Sequence, residues 1–276
     1  MDRRRPLVNY HTHTWRCQHA QGTEEDYVRR ALEAGFSVLG FADHTPWPYE
    51  SGFVSGIRMR WDQFADYRQT IRDLGEAYAG RIKILLGLEC EAFPEYMGWL
   101  ADLKAAQLDY VILGNHYDGT DEGDHKHMTD DGGFYFGRST LPEHIRRYAE
   151  RTIAGMRTGL FDCVAHPDLF CQVLPAFDAD CAAASHDLCA AAQDLGLPLE
   201  YNLLGVQKRA GNAEAGLLGY PCAGFWEIAA QYDVKAVVGF DAHRPEQLSC
   251  VDLHDRGVEF LEGLGIEVLS ELPGLH

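Results

Sequence analysis

Three histidines lie within nine residues near the start of the sequence, in the stretch NYHTHTWRCQHA that spans residues 9–20. His11 and His13 are separated by one residue, so on a strand both side chains point to the same face. His19 follows in a loop that can fold back over them. Imidazole and carboxylate groups together are the ligands that suit Zn²⁺, Mn²⁺ or Fe²⁺. This stretch therefore predicts part of a metal site.

Further histidines and acidic residues recur where short apolar runs end. The runs are typical of strands buried on both faces, and they span residues 7–11, 38–42, 82–88, 110–114, 161–165, 197–201 and 234–240. In an α/β barrel the carboxyl ends of the strands meet at one mouth. The predicted metal ligands at that mouth are His11, His13, His19, His44, Glu89, His116, His166, Asp241 and His243. One such ion takes roughly four to six ligands, so the set predicts two or three ions.

The elements that must position these residues alternate along the chain. Helical patterns span residues 24–34, 61–78, 95–106, 142–158, 179–195, 225–232 and 245–264, and a short last strand is expected near 266–269. The alternation predicts a parallel sheet or barrel with right-handed crossovers. No linker rich in Pro, Ser or Gly divides the chain, so we predict one domain over residues 1–276. The polar stretch 119–140 is long for a connection and is predicted to be a lid or binding loop.

Composition limits the partners. Hydrophobic residues make up 46% of the chain, which allows a full core, and the formal net charge is −18. Such a charge disfavours nucleic acid and anionic membranes, and it would repel an anionic substrate unless the site is locally positive. There is no apolar run of about 18 residues and no apolar segment typical of a signal peptide. None of the 8 cysteines forms a CxxC pair. Because no export signal is apparent, we expect reduced thiols and a cytoplasmic protein.

These residues, taken in order, resemble the polymerase-and-histidinol-phosphatase (PHP) superfamily over nearly the whole chain. The matching motifs are HTHT with His19, DH at 43–44, Glu89, NH at 115–116, AHPD at 165–168 and DAH at 241–243. The stretches HTHTWRCQHAQGTEEDYVRRALEAGF and EYNLLG are similar to those of single-domain, histidinol-phosphatase-like members. The resemblance implies a distorted (β/α)₇ TIM-like barrel with three divalent metal ions (Zn, Mn or Fe) at the C-terminal ends of its strands.

The resemblance also implies which residues hold each ion. The first ion would take His11, His13, Glu89 and Asp241; the second Glu89, His116 and His166; the third His19, His44 and His243. Because every expected ligand is present, we expect an active hydrolase of a small phosphate monoester. L-histidinol phosphate is the substrate that the resemblance favours, which would place the protein in histidine biosynthesis.

One departure leaves the substrate open. Histidinol phosphatases often carry an arginine before the histidine that corresponds to His166, and this sequence has Ala165. A phosphodiesterase, a cyclic-phosphate hydrolase and a nucleotide phosphatase therefore remain alternatives on the same site. The histidine-rich third ligand set argues against an amidohydrolase that cleaves C–N bonds. The acidic surface argues against a 3′–5′ exonuclease, and the complete ligand set argues against a non-catalytic metal-binding module.

Three divalent ions would reverse the local field in this acidic protein. Counting two carboxylates and a bridging hydroxide, the site would carry about +3, which attracts a phosphorylated metabolite. The hydroxide would attack phosphorus, and the third ion would stabilise the charge that develops. The predicted catalytic residues are Glu89, Asp241, His243 and Asp43, the last as a general acid or as a group that orients a ligand histidine.

Positive side chains near the mouth are predicted to hold the substrate, because arginine binds phosphate through two parallel hydrogen bonds. Arg58, Arg138 and Arg209 are the candidates, with Lys208 beside the last. Arg209 is favoured because strand six supplies no metal ligand and so has room for a substrate role. Tyr117 is predicted to line the pocket.

Overall fold

The strands are short and follow the predicted positions closely. A computed structural model of the protein describes residues 6–122 and 135–275. Its eight strands are β1 (Leu7–Asn9), β2 (Phe36–His44), β3 (Lys83–Cys90), β4 (Tyr110–Leu113), β5 (Cys163–Val164), β6 (Leu199–Asn202), β7 (Lys235–Gly239) and β8 (Glu267–Val268). The larger part of the predicted loop, residues 123–134 with His125 and His127, lies outside the described residues.

Helices alternate with the strands. They are α1 (Glu24–Ala34), α2 (Phe64–Ala77), α3 (Met97–Gln107), α4 (Pro142–Arg157), α5 (Ala179–Leu195), α6 (Leu203–Glu214), α7 (Ala223–Ala229) and α8 (Val251–Gly263). Among the described residues, no helix combines the length and the apolar character that a membrane crossing requires.

All eight strands run parallel in sequence order from β1 to β8. Beyond the end of β1, Thr12 forms a parallel bridge with Ala242, which follows β7. This bridge brings the carboxyl ends of the first and seventh strands together, as in a distorted TIM-like barrel. The predicted (β/α)₇ count is one strand short, because β8 pairs with the first two residues of β7 and extends the sheet.

The core has two layers that follow the alternation of side chains along each strand. One layer packs between the sheet and the helices, and the other fills the inside of the curled sheet. Tyr110 is fully buried in the inner layer, and its hydroxyl donates to the Tyr10 carbonyl oxygen at 2.7 Å. A Cβ on Gly87 would lie 2.5 Å from the Tyr110 ring, so a glycine is required there. The inner layer thus fills the inside of the curled sheet with apolar side chains.

Helix caps explain two boundaries. At α1, Thr23 and Asp26 form a capping box, and Gly35 ends the helix at a φ of 86°. Helix α6 was not predicted, because Gly205 and Gly211 interrupt its helical pattern. Its first turn is held by the Asn202 side chain, which accepts a hydrogen bond from the Gly205 amide at 3.0 Å.

Candidate metal centre

Nine side chains converge at or just beyond the carboxyl ends of the strands. Two follow β1, one ends β2, one lies in β3, and the others follow β4, β5 and β7 or the loop after β1. We call them the histidine–carboxylate cluster: His11, His13, His19, His44, Glu89, His116, His166, Asp241 and His243. The structure therefore brings together all nine residues that the sequence predicted as ligands.

Glu89 occupies the middle of this cluster. His166 Nε2 lies 2.8 Å from Glu89 Oε1, and His44 Nδ1 lies 2.9 Å from Glu89 Oε2. His116 Nε2 is 3.4 Å from Oε1, and His11 Nε2 is 3.5 Å from Oε2. One carboxylate thus faces histidines from four different strand ends, which is the position that a bridging ligand needs.

Asp241 is the second carboxylate of the cluster. Its Oδ1 lies 3.1 Å from His13 Nε2, 3.5 Å from His11 Nε2 and 3.4 Å from His243 Nδ1. Asp241 has a φ of 47° and His166 a φ of 31°, a left-handed backbone that non-glycine residues rarely adopt. Such strained residues concentrate at functional sites, where the surrounding structure holds them in place.

A third group lies above these two carboxylates and consists of histidines alone. Ligand atoms of His19, His44 and His243 all lie within 4.8 Å of one another. The His19 and His243 rings are stacked with centroids 4.7 Å apart, and His243 also stacks on His13 at 4.1 Å. Rings at this spacing can present three nitrogens to one point.

The donor atoms fit divalent cations. Five buried ligand atoms make no hydrogen bond within the described structure: Nε2 of His11 and of His13, Nδ1 of His44, Oε2 of Glu89 and Oδ1 of Asp241. Buried polar atoms without partners are rare, because each costs desolvation energy. These five point toward one another, and a cation among them would satisfy both nitrogens and oxygens.

The shifts in pKa favour the ligand form of Glu89, Asp241 and His44, whereas neighbouring carboxylates raise the pKa of His11 and of His13 against the effect of burial. Burial opposes ionisation of Glu89, but His116 and His11 outweigh it and hold the pKa of Glu89 well below its usual range. Asp241 behaves alike, since His11 and His13 lower its pKa against the effect of burial. Burial, assisted by His13, also holds the pKa of His44 well below 6.5, so this imidazole is neutral and can donate a lone pair.

Three further carboxylates hold the outward nitrogens of histidines in the cluster. Glu200 Oε1 lies 2.8 Å from His11 Nδ1, and Glu91 Oε1 lies 3.1 Å from His116 Nδ1. Both contacts escaped prediction, although Glu200 ends a strand and Glu91 lies two residues beyond Glu89. Such contacts fix a histidine's tautomer and ring orientation.

The third of these carboxylates is Asp43, which was predicted as a general acid or as an orienting group. Its Oδ1 lies 3.4 Å from His13 Nδ1, and its Oδ2 accepts hydrogen bonds from the Thr14 amide, at 3.2 Å, and from the Thr14 hydroxyl. Asp43 is fully buried. This position favours the orienting role over proton transfer to a leaving group.

The cluster forms the floor of an open cavity of about 600 Å³. Its walls include Tyr117, Tyr135 and Tyr220, and among the described residues three cationic side chains line it: Arg138, Lys208 and Arg244. Arg138 also lies over the Tyr135 ring, 5.5 Å from the centroid. Tyr117 and Arg138 thus lie where the sequence predicted, whereas Lys208 was only a secondary candidate and Arg244 was not predicted at all.

Two predicted substrate contacts lie elsewhere. Arg58 is buried, and its guanidinium pairs with Glu91 at 2.6 Å and with Asp121 at 3.0 Å, so it is not available to a substrate. Arg209 is exposed on α6 and is not among the described residues that line the cavity. The sequence pattern missed α6, whose helical turn places Lys208 rather than Arg209 on the cavity side.

A known protein family matches most of this chain. The family model described as PHP domain matches residues 9–202, which is most of the chain. The chain belongs to the PHP domain family. The family predicted from the sequence motifs is therefore confirmed.

Relatives of this PHP domain protein carry related names. A Deinococcus radiodurans protein named "Probable histidinol-phosphatase" is 32% identical over 255 residues, which cover 88% of each chain. The Bacillus subtilis histidinol-phosphatase is 29% identical over 120 residues, 40% of this chain and 44% of that one. The crystal structure of the Lactococcus lactis histidinol phosphate phosphatase HisK, complexed with zinc, L-histidinol and phosphate, has the same fold. Its TM-score is 0.71 with 16% identity, and the match covers 97% of each chain.

Proposed function

We propose that this PHP domain protein is a metal-dependent phosphomonoesterase that hydrolyses L-histidinol phosphate. The observation that carries the proposal is the set of five buried ligand atoms without hydrogen bonds inside a cluster of nine ligand-type side chains. The names of the curated relatives support the substrate. An enzyme with this activity acts in histidine biosynthesis.

We assign three divalent ions, with zinc favoured by the HisK structure that contains it. The ligand sets are His11, His13, Glu89 and Asp241 for the first ion, Glu89, His116 and His166 for the second, and His19, His44 and His243 for the third. Ligand atoms of His11, His13 and Asp241 lie within 4.8 Å of one another, as do those of His19, His44 and His243, which supports the first and third sets. In the second set, Nε2 of His166 and of His116 lie 2.8 and 3.4 Å from Glu89 Oε1. When bound, divalent ions neutralise phosphate charge and make water a stronger acid, which is the chemistry that phosphoester hydrolysis needs.

The chain's own residues prepare the site before substrate arrives. Glu200, Asp43 and Glu91 hold the Nδ1 atoms of three histidines, so each presents Nε2 to the centre of the cluster. Rings fixed in this way need no reorganisation on binding, and charges placed in a buried site act strongly. Glu89 and Asp241 stay ionised, because the surrounding histidines stabilise their charges.

The cationic side chains of the cavity guide and hold the substrate. Arg138, Lys208 and Arg244 line the mouth of a site in a protein of net charge −18. A local positive rim concentrates an anionic metabolite in an otherwise repulsive field. Their guanidinium and ammonium groups would bind phosphate oxygens or an anionic part of the substrate.

A second candidate function is hydrolysis of a phosphodiester, a cyclic phosphate or a nucleotide on the same site. The observation that favours it is Ala165, which is fully buried and supplies no charge beside His166, where histidinol phosphatases often carry arginine. A cavity of about 600 Å³ with three cationic side chains also has room for a larger anion.

A substrate panel separates the two candidates. Phosphate release is measured with zinc- or manganese-loaded protein on L-histidinol phosphate, AMP, a 2′,3′-cyclic nucleotide and a diester. We expect kcat/KM for L-histidinol phosphate to exceed that of every other substrate by at least about 100-fold, or roughly 3 kcal/mol of transition-state discrimination. A larger kcat/KM on the cyclic nucleotide or the diester would replace the proposed function with the second one.

A further inference from the structure

Arg58 is a buried arginine with two carboxylate partners. It lies in the segment between β2 and α2, and its side chain is 1% exposed. Its Nη1 and Nη2 donate to Glu91 Oε2 at 2.9 Å and to Glu91 Oε1 at 2.6 Å, and its Nε donates to Asp121 Oδ2 at 3.0 Å. Placing a charge in the interior costs several kcal/mol unless its partners and geometry compensate for it. An arginine held in this way at the back of a metal centre invites a functional explanation.

The Glu91 carboxylate connects Arg58 to the histidine–carboxylate cluster. Glu91 Oε1, which accepts from Arg58, also accepts from His116 Nδ1 at 3.1 Å, and Oε2 accepts from Trp47 Nε1 at 3.1 Å. Both oxygens are therefore fixed in position. His116 in turn points its Nε2 toward Glu89 Oε1 at 3.4 Å. The direction of the His116 ring thus depends on a carboxylate whose own direction Arg58 sets.

The segment that carries Arg58 also contacts the loop after β1. The Gln18 side chain donates to the backbone carbonyl oxygens of Ser55 at 2.7 Å and of Arg58 at 2.9 Å, and Gln18 directly precedes His19. The Ser55 hydroxyl donates to Asp121 at 2.5 Å. Arg58 consequently lies at the junction of the segments that carry two ligands of the cluster.

We propose that Arg58 is a positioning residue of the metal centre: it fixes Glu91, which fixes His116, and it thereby sets the affinity for the ion that His116 holds. The proposal rests on the metal site of the proposed function and is independent of the substrate. Bidentate pairing is essential to it, because a fork of two donors restrains the rotation of the Glu91 carboxylate.

The test measures zinc binding rather than turnover. The chain is stripped of metal, and zinc affinity is determined by competition with a chromophoric chelator, with stoichiometry from atomic emission. We expect R58Q to lower the affinity for one zinc ion by about 10–100-fold. This is the loss of metal affinity that follows removal of groups that orient metal ligands. The matched control is R72Q, whose arginine on α2 forms an exposed ion pair with Asp109 at 2.8 Å. It should bind zinc as the unmodified chain does.

A comparison of E91Q with the double variant R58Q/E91Q tests the route through Glu91. If Arg58 acts through Glu91, the double variant should bind zinc no more weakly than the weaker of the two single variants. If the losses of zinc affinity in the two single variants add up in the double variant, the proposed route through Glu91 is wrong. A merely structural Arg58 would lower the melting temperature of metal-free protein and leave zinc affinity unchanged, and that result would overturn the proposal itself.

The conservative variant R58K keeps the test decisive if R58Q fails to fold. Lysine supplies the charge as a single point and cannot bind both Glu91 oxygens and Asp121 in the arginine geometry. We expect R58K to lower the affinity for the same zinc ion and to leave the affinities for the remaining ions unchanged. Zinc binding by R58K equal to that of the unmodified chain would contradict the proposal. Failure of the proposed substrate would leave all these zinc affinities unchanged, so the two failures are distinguishable.

Discussion

A histidine that binds a metal needs one free nitrogen and a ring that is held in place. Within the cluster, His11 and His116 meet both conditions, because Glu200 and Glu91 hold their Nδ1 atoms while Nε2 faces the other ligands. The sequence predicted the candidate ligands from their positions at the strand ends. It could not predict which carboxylates hold them, since that depends on contacts between residues 25 and 189 positions apart.

The same dependence on distant contacts explains why the sequence wrongly predicted Arg58 and Arg209 as substrate contacts. From sequence both are cations near a predicted mouth, and nothing local separates a buried arginine from one in contact with substrate. Arg58 is buried because Glu91 and Asp121, which lie 33 and 63 residues away, approach it from two sides. Arg209 is exposed and does not line the cavity, whereas Lys208 does. Both lie on α6, a helix that the glycine-containing sequence did not reveal.

The all-histidine group provides the first prediction. His44→Ala should lower kcat for phosphoester hydrolysis by at least about 100-fold, the scale on which removal of one group that stabilises the transition state acts. The control is His186→Ala on α5, whose imidazole contacts Tyr232 at 2.9 Å and lies outside the cluster. The measurement is steady-state phosphate release with saturating zinc or manganese. Unchanged kcat in H44A would refute a role for the third ion.

Arg244 provides the second prediction. Arg244→Ala should raise KM about tenfold with little change in kcat, as expected for the loss of one hydrogen bond between charged groups that forms equally in the ground state and the transition state. Arg209→Ala is the matched control, since Arg209 is exposed outside the cavity. If KM rises in R209A and does not change in R244A, Arg209 contacts the substrate, as the sequence predicted. That result would contradict the assignment of Arg244 to substrate binding.

At the scale of elements, the strand ends do most of the positioning. The strands and most helices were predicted within a few residues, because buried apolar runs and amphipathic helices have different periods. The failures are local and physical. β5 contains only two residues, Cys163 and Val164, and is shorter than the predicted strand 161–165. The chain leaves the strand before His166, which has a left-handed backbone. The eighth strand was foreseen as an element but not counted in the barrel.

Close packing between strands gives the third prediction. A Cβ at Gly239 on β7 would lie 1.8 Å from Glu200 Oε1, the atom that holds His11. Gly239→Ala should therefore destabilise the protein by about 1–3 kcal/mol through overpacking, and it should weaken zinc binding as Glu200 is displaced. Urea unfolding and zinc titration measure the two effects.

A glycine in open space serves as the control for that substitution. Gly98 on α3 has no atom within 4 Å of an added Cβ. Gly98→Ala should stabilise the chain by about 0.5–1 kcal/mol through helix propensity and leave zinc binding unchanged. If G239A binds zinc as tightly as G98A does, Glu200 does not orient a ligand.

At the scale of the whole molecule, charge and metal binding are linked. The chain carries a net charge of −18, and the cluster adds buried ligand-type atoms without hydrogen bonds to its interior. Composition alone excluded nucleic acid as a favoured partner and required a local source of positive charge, which the proposed ions and three cavity cations supply. That the chain is one domain remains a prediction.

Metal removal gives the fourth prediction. Ions that bind only the folded chain stabilise it, by about 4 kcal/mol for each ion present at 1,000 times its Kd. For a chain of this size, each such ion should raise Tm by roughly 10 °C. Calorimetry compares chelator-treated and zinc-saturated protein, with the double variant H11A/H13A as control. The proposed metal site would be contradicted if zinc raised the Tm of H11A/H13A as much as that of the unmodified chain. It would also be contradicted if zinc left the Tm of the unmodified chain unchanged.

The most direct test of the central claim is phosphate release from L-histidinol phosphate by one preparation, first stripped of metal and then reloaded with zinc or manganese. We predict no turnover from the stripped protein and a kcat/KM at or above about 10⁴ M⁻¹s⁻¹ after reloading, an ordinary value for an enzyme on its own substrate. Equal turnover before and after reloading would contradict metal-dependent catalysis. No turnover after full reloading would contradict histidinol phosphate as the substrate.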